Sequence, residues 1–359
     1  MRQLVLCFLA SACLLGIGCA DDVSQVSSDE TDESLAGYVS SSVRDQTMSG
    51  VVLMANGGET MLEQAFNIDQ LQADFEISPD SAFAIASLTK SFTAVLVLDQ
   101  VSSGLISLDD PVSTYLPDFN APYARNVSIR QLLQNRSGIP HYVDIPGWFD
   151  PEVRSQFTAE SFLEQMASLE LRFAPGEDYY YSNVNYYLLG LVLESATGKS
   201  YETLLHDRVL EPLGLRNTGQ IYSHEHESLA PSYLRSGDDY ERIQIDNAGL
   251  FRATASQYSN ARDLATFADA LINGSLLDAE MLGVLFDEEH PMGFTVTSAP
   301  LGDAEVDVIT YNGELSGTTT MLTLFPEQQC VIVILSNNNT PYSSLVELTL
   351  AFAQHAFDG

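Results

Sequence analysis

Phe83-Ala84-Ile85-Ala86-Ser87-Leu88-Thr89-Lys90-Ser91-Phe92-Thr93-Ala94-Val95-Leu96 is apolar enough to be an interior helix, yet it carries a lysine. The chain has only two lysines, and the other, Lys199, lies in the polar turn Thr197-Gly198-Lys199-Ser200, where a solvated ammonium needs no explanation. No Asp or Glu occurs between Asp80 and Asp99, so an ammonium at Lys90 loses hydration without gaining a partner. Its pKa is expected to fall, which makes it a base. Three residues earlier on the same helical face stands Ser87, its hydroxyl within reach of that amine. Near a helix start it also gains the positive end of the dipole and an unpaired backbone N–H. The pair reads as a nucleophile with its activating base. A competing reading makes Ser87 a helix cap and lets Lys90 run to the surface along its apolar stem.

Outward from this helix the pattern is strands at both chain ends and helices between. Gly50 to Ala55 and Met61 to Phe66 are strand-like runs separated by Asn56, Gly57 and Gly58, a hairpin signal. Asp307 to Tyr311, Thr318 to Phe325 and Cys330 to Leu335 form a second strand group, and a helix from about Ser343 to Phe357 follows. The middle carries apolar residues at three- and four-residue spacing over Ser87–Val101, Ser128–Gln134, Ala159–Leu169, Val184–Ser195, Tyr201–Val209, Ala261–Leu271 and Asp278–Leu285. This predicts an α+β fold. One antiparallel sheet is built from both chain ends and flanked by helices (about 36–100 and 286–359), with an all-helical region (about 101–285) inserted.

The 359 residues, 45% of them hydrophobic, suffice for a full core. Fifteen Lys and Arg against 49 Asp and Glu give a net charge of −34, a surface that repels phosphate backbones and excludes nucleic acid as a partner. The only long apolar run, Leu4 to Leu15, is the length of a signal-peptide core and too short to span a bilayer. It closes on Gly16, Ile17, Gly18 and Cys19, so residues 1–18 read as a signal peptide whose site resembles that of a bacterial lipoprotein, with Cys19 acylated. Leu15 stands four positions before the cysteine where three is usual, and plain secretion is the alternative. Residues 19–35, rich in Asp, Glu and Ser, read as a self-repelling tether to the folded body at 36–355. The expected location is the bacterial cell envelope, facing the periplasm, with membrane contact only through that anchor. Cys7 and Cys13 leave with the signal and Cys330 stands alone in an alternating apolar run, so it reads as a small buried hydrophobe.

Two more groups complete a candidate site. In Phe173-Ala174-Pro175-Gly176-Glu177-Asp178-Tyr179-Tyr180-Tyr181-Ser182-Asn183, a Pro-Gly turn delivers Tyr181 and Asn183 to a helix start. Tyr181 is placed to relay a proton between Ser87 and a leaving group, and Asn183 to donate to a substrate carbonyl and to Lys90. Packing and helix capping are the plain alternatives. Tyr258-Ser259-Asn260 repeats the triplet, but Asp263 follows Asn260 by three, so it reads as a capped helix start. His224-Glu225-His226 has no third ligand in view, and His141, Tyr142 and Trp148 either rim the pocket or pack. No Gly-x-Ser-x-Gly elbow or phosphate-cradling loop occurs, and no metal or cofactor is expected.

Ser87-Leu88-Thr89-Lys90 and Tyr181-Ser182-Asn183, together with Leu132-Leu133-Gln134-Asn135-Arg136-Ser137-Gly138-Ile139-Pro140, Phe173 through Gly190 and Glu211-Pro212-Leu213-Gly214-Leu215, resemble the serine β-lactamase and penicillin-binding-protein superfamily. The likeness is to its class C β-lactamase-like branch of esterases and D-amino-acid peptidases. It implies a metal-free hydrolase, expected to act as a monomer on small molecules or peptides, with an acyl-enzyme on Ser87 and Lys90 and Tyr181 as coupled base and acid. The family's third motif, Lys-Thr-Gly or His-x-Gly, aligns with Tyr311-Asn312-Gly313, followed by Glu314. By that alignment the Ser87 and Glu314 N–H groups form the oxyanion hole and Gly313 lets substrate approach. Tyr311 replaces the cation that holds a substrate carboxylate, which turns the expectation toward esters, amides or lactones without that charge. A β-lactamase or D,D-carboxypeptidase is the second reading. A third is a non-catalytic envelope lipoprotein that binds peptidoglycan fragments or antibiotics.

Overall fold

Two consecutive glycines, Gly57 and Gly58 at φ +55° and +79°, turn strand β1 (Gly50–Asn56) directly into β2 (Glu59–Phe66), because only a residue without Cβ takes both positions cheaply. A computed structural model describes residues 35–45, 48–72, 75–148, 152, 156–222, 228–237, 239–244, 251–302 and 304–358. The signal peptide, Cys19, the tether up to residue 34 and His224-Glu225-His226 lie outside the described residues. The other strands follow as β3 (Phe83–Ala84), β4 (Gly219–Gln220), β5 (Ser232–Ser236), β6 (Asp239–Ile243), β7 (Gln257–Ser259), β8 (Thr295–Leu301), β9 (Ala304–Leu315), β10 (Thr318–Phe325) and β11 (Cys330–Ser336).

As the sequence pattern predicts, both chain ends build one antiparallel sheet; it has six strands in the order β2-β1-β11-β10-β9-β8. Its central strands are apolar on both sides because both are covered: Val51, Leu53 and Ala55 enter one core, Val52 and Met54 the other. Helices α1 (Leu35–Asp45) and α5 (Tyr342–Asp358) close the second core through Val39, Val43, Leu345, Leu348 and Phe352. The first core is closed by α2 (Thr89–Ser102), α3 (Asn183–Thr197) and α4 (Ala261–Ile272), where the Phe92 and Phe267 rings stack at 4.0 Å. Each such phenylalanine taken fully out of water contributes about 1.5–3 kcal/mol. Cys330 sits in the second core at 0% exposure with its thiol pushed up to about 12 by burial, the inert hydrophobe expected.

The inserted region is not purely helical. It holds β4, β7 and the β5-β6 hairpin, and β3-β7-β4 form a small sheet of their own. That small sheet positions the site: Phe83 and Ala84 pair with Ser259 and Tyr258, fixing the chain just before Ser87. The first helix begins at Leu35, one residue before the boundary assigned to the tether. Among the described residues no helix is long and apolar enough to cross a membrane.

Candidate active site

Ser87 lies in a three-ten turn, Ala86–Leu88, that runs straight into α2, rather than in the α-helix itself. Ala86 is held at φ +49°, a conformation that costs a residue with Cβ of order 1 kcal/mol or more and persists only where its surroundings enforce it. They do so from both sides. The Ile85 N–H bonds Gln257 O at 2.9 Å, and the Ile85 carbonyl accepts from Thr320 Oγ1 at 3.2 Å on β10. The first bond of the turn runs from Leu88 N to Ile85 O, so the Ser87 N–H precedes it and stays available.

Lys90, at 0% exposure, extends its Nζ to Ser87 Oγ at 3.0 Å and to the Thr254 carbonyl at 2.9 Å. No carboxylate pairs with it among the described residues, and burial holds its pKa well below the ordinary 10.5. The rings of Tyr181 and Tyr186 lie 5.1 and 5.7 Å from Nζ. Such faces favour a desolvated ammonium by about 2 kcal/mol, which only partly offsets the loss of water. Ser87 Oγ meets the Tyr181 hydroxyl at 2.8 Å, so amine, alcohol and phenol form one continuous hydrogen-bonded chain. Burial raises the Tyr181 pKa, which keeps it a phenol able to give a proton. Chemically the chain can move a proton off Ser87 toward nitrogen and deliver one from Tyr181.

The Leu132–Pro140 block is the cradle of Tyr181. Asn135, at φ +53°, accepts from Ser182 N and Asn185 Nδ2 through one carboxamide oxygen (3.1 and 2.9 Å), and its carbonyl takes the Tyr180 N–H at 2.9 Å. Ser182 caps α3 by accepting from Val184 N. Arg136 bonds the Gly176 carbonyl and so braces the loop. Asn183 departs from expectation. Its Oδ1 accepts from Tyr181 at 3.1 Å and its Nδ2 donates to Tyr142 at 2.6 Å, and no bond reaches Lys90. The lysine's second acceptor is the Thr254 carbonyl instead, a backbone atom that no side-chain pattern announces.

Gly313 has a packing reason beside the substrate approach expected of it. A Cβ there would fall 2.1 Å from Ile85 O and 2.7 Å from Thr320 Oγ1, so the glycine lets β9 close on the chain that leads into the Ala86–Leu88 turn. β8 ends its pairing at Thr295 with Thr310, which leaves residues 311–315 of β9 without a strand on that side. Glu314, exposed, belongs to this open stretch. Tyr311 directs its hydroxyl at Tyr181, an interaction that favours charge on Tyr181 and disfavours it on Tyr311, while burial raises both. Among the described residues, the structure brings Ser87, Lys90, Tyr181, Asn183, Tyr311 and Gly313 together. The second triplet does cap a helix: Asn260 Oδ1 accepts from Asp263 N at 2.9 Å, and the Asp263 carboxylate turns to Thr218 and Asn217.

The profile of the Beta-lactamase family matches residues 35–356, nearly the whole described chain. The chain belongs to the Beta-lactamase family. Members of this family are serine hydrolases, and the chain's fold is the β-lactamase and transpeptidase fold. It is similar to Protein flp of Staphylococcus aureus (strain MW2), 25% identical over 305 residues covering 81% of this chain and 60% of flp. It is also similar to Penicillin-binding protein 4* of Bacillus subtilis (strain 168), 25% identical over 340 residues, 87% of this chain and 72% of that protein. The chain thus spans only part of these relatives' length. Of solved structures, the D-stereospecific amidohydrolase from Streptomyces sp. shares the fold with a TM-score of 0.74, 23% identity and coverage of 88% and 98%. The D-amino acid amidase from Ochrobactrum anthropi SV3 does so with 0.74, 22%, 90% and 99%.

Within this Beta-lactamase-family site, sequence reasoning missed two contributors, Thr254, which acts through its carbonyl, and Asn135, which acts through a left-handed backbone. His141, expected to rim the pocket or pack, rests its ring on Tyr181 at 5.9 Å and 22°. Of the two missed, only Asn135 leaves a trace in the sequence, as an Asn closing an apolar helix before a polar turn.

Proposed function

We propose that the protein hydrolyses an ester or amide through an acyl-enzyme on Ser87, and the unbroken Lys90–Ser87–Tyr181 chain carries that reading. The neutral Lys90 amine takes the Ser87 proton as Oγ bonds to the substrate carbonyl carbon. The N–H groups of Ser87 and Glu314 receive the developing oxyanion. As the tetrahedral intermediate collapses, Tyr181 protonates the departing oxygen or nitrogen and the Lys90 ammonium restores the phenol. Water then attacks the acyl carbonyl with the same groups in reverse order, which releases the acid and frees Ser87.

The names of the relatives support amide or peptide chemistry, with D-amino-acid substrates favoured by the two amidase neighbours. Tyr311 supports a substrate without a carboxylate beside the scissile bond, since it brings a phenol where a cation would pair. A fluorophosphonate probe is expected to label Ser87 by peptide mass. A panel of p-nitrophenyl ester, chromogenic cephalosporin and D-Ala-D-Ala peptide then ranks the substrates, with the ester turned over best. Labelling at another residue contradicts the proposal. Saturable binding without turnover of any of the three would return the reading to a non-catalytic binding protein.

The same reading anchors the hydrolase to the envelope through Cys19. Metabolic incorporation of palmitate that disappears in Cys19→Ser is the expected result, and incorporation that survives the substitution contradicts it.

A further inference from the structure

Thr93, three residues beyond Lys90 on α2, is fully buried and carries a hydroxyl that the proton chain does not use. It donates to the Ala253 carbonyl at 2.8 Å, closer than its 3.2 Å contact with Thr89 O of its own helix. A carbonyl has no hydrogen to give back, so Thr93 Oγ1 takes one from the Tyr201 hydroxyl at 2.7 Å, and Tyr201 takes one from Gln257 Nε2 at 3.0 Å. Tyr201 and Gln257 are buried as completely, and burial raises the Tyr201 pKa, so the phenol keeps its hydrogen. Amide, phenol, alcohol and carbonyl thus run in one direction behind the helix that carries the base.

Ala253 is the residue before Thr254, whose carbonyl receives Lys90 Nζ at 2.9 Å. The two carbonyls lie in neighbouring peptide planes of one turn. The N–H groups of those planes, on Thr254 and Ala255, both bond Phe251 O, at 2.8 and 2.9 Å, which closes the turn on itself. Two bonds then fasten it to α2, Thr93 to Ala253 and Lys90 to Thr254. The lysine end is a long flexible stem, whereas the threonine hydroxyl is set by χ1 alone, so Thr93 is the stiffer tie. A neutral amine has two N–H groups and one lone pair, and the lone pair has to face Ser87 for the serine proton to leave. We propose that Thr93 is a positioning residue: its hydroxyl, fixed by Tyr201 and Gln257, holds the Ala253–Thr254 peptide on α2, and the Thr254 carbonyl then occupies one Lys90 N–H and turns the lone pair toward Ser87. This rests on the acyl-enzyme reading above and names what orients its base.

A carbonyl that accepts from Lys90 also favours its ammonium, so a Thr254 carbonyl set adrift lowers the lysine pKa further. The other titratable groups facing Nζ are Tyr181 and Tyr186, with His141 beyond them, its pKa lowered to about 4 by burial and by Lys90; none of the three bonds Thr93. Thr93→Val keeps the shape and removes the hydroxyl. In protein labelled with ¹⁵N-lysine, the Lys90 signal of this variant is expected to titrate about 0.5–1 pH unit lower than in the unsubstituted chain, the scale of one hydrogen bond. Fluorophosphonate labelling of Ser87 is expected to slow about tenfold at its plateau while its acid limb moves to lower pH, a combination that loss of stability alone does not produce. Thr93→Ser is expected to return both to near their original values. Thr93→Cys, similar in size and a weak donor, shifts the signal in the same direction and takes the place of valine if that chain does not fold. A Lys90 titration that is unmoved or moved upward in the folded variant overturns the proposal, as does a shift that serine does not reverse. The lysine titration needs no turnover, so the two readings separate. An unlabelled Ser87 in the unsubstituted protein fails the hydrolase reading, whereas an unmoved Lys90 signal with Ser87 labelled fails only this one.

Discussion

Lys90→Met leaves the protein folded and slows acylation of Ser87 by about 10²–10⁴-fold, the range a positioned general base supplies. Methionine matches the lysine stem in length, and its thioether suits a slot walled by the Tyr181 and Tyr186 rings. The Thr254 carbonyl loses its donor, a cost of about 1–3 kcal/mol, while the penalty for burying an amine without a carboxylate is relieved. The two oppose each other, so stability changes little at neutral pH. Its pH dependence does change. Between the lowered folded pKa and the ordinary 10.5 the unfolded chain binds a proton that the folded chain does not, so Lys90 makes stability rise with pH across that window. That contribution is fully present above the unfolded value and is lost as pH falls through the folded one. The methionine variant flattens the slope. Stopped-flow labelling and urea melts at several pH values check both, and acylation at the unsubstituted rate would remove Lys90 from the mechanism.

Gly313→Ala is expected to lower kcat for ester hydrolysis by about 10²–10³-fold, comparable to loss of an oxyanion donor. The added Cβ meets Ile85 O at 2.1 Å and Thr320 Oγ1 at 2.7 Å, so β9 and the turn that carries Ser87 must separate. The turn has little room to yield. Ala86 already sits at φ +49°, and Ile85 is bonded to Gln257 and Thr320. Separation moves the Ser87 and Glu314 N–H groups apart, which harms the transition state more than substrate binding. The expected signature is therefore a fall in kcat with a smaller change in KM and a lower melting temperature. Full activity in a folded Gly313→Ala protein would mean that the oxyanion is held elsewhere.

The sheet core and the helix of Lys90 were legible because their physics is local. Continuous apolar runs marked β1, β10 and β11, and a lone lysine among apolar residues marked α2. β8 was hidden: it is an edge strand with mostly exposed residues and Pro300 near its end, so neither alternation nor hydrophobicity betrays it. β3, β4 and β7, two or three residues each, exist only because the small sheet assembles around them. The side chains of the proton chain could be named in advance, since Ser-x-x-Lys fixes two of them on one helical face. Their surroundings could not. The acceptor for Lys90 is a carbonyl 164 residues away, the partner of Asn183 is a tyrosine 41 residues away, and the space Gly313 leaves is filled by the backbone of Ile85.

Because the chain has two lysines, selective ¹⁵N labelling of lysine gives two side-chain signals to follow against pH. Lys199, paired with Asp207 at the surface at 2.8 Å, provides the internal comparison. The result predicted here is a Lys90 signal that titrates well below 10.5 in the folded protein and tracks the acid limb of Ser87 labelling. A Lys90 signal that titrates at the ordinary lysine value would contradict a neutral amine as the base that activates Ser87.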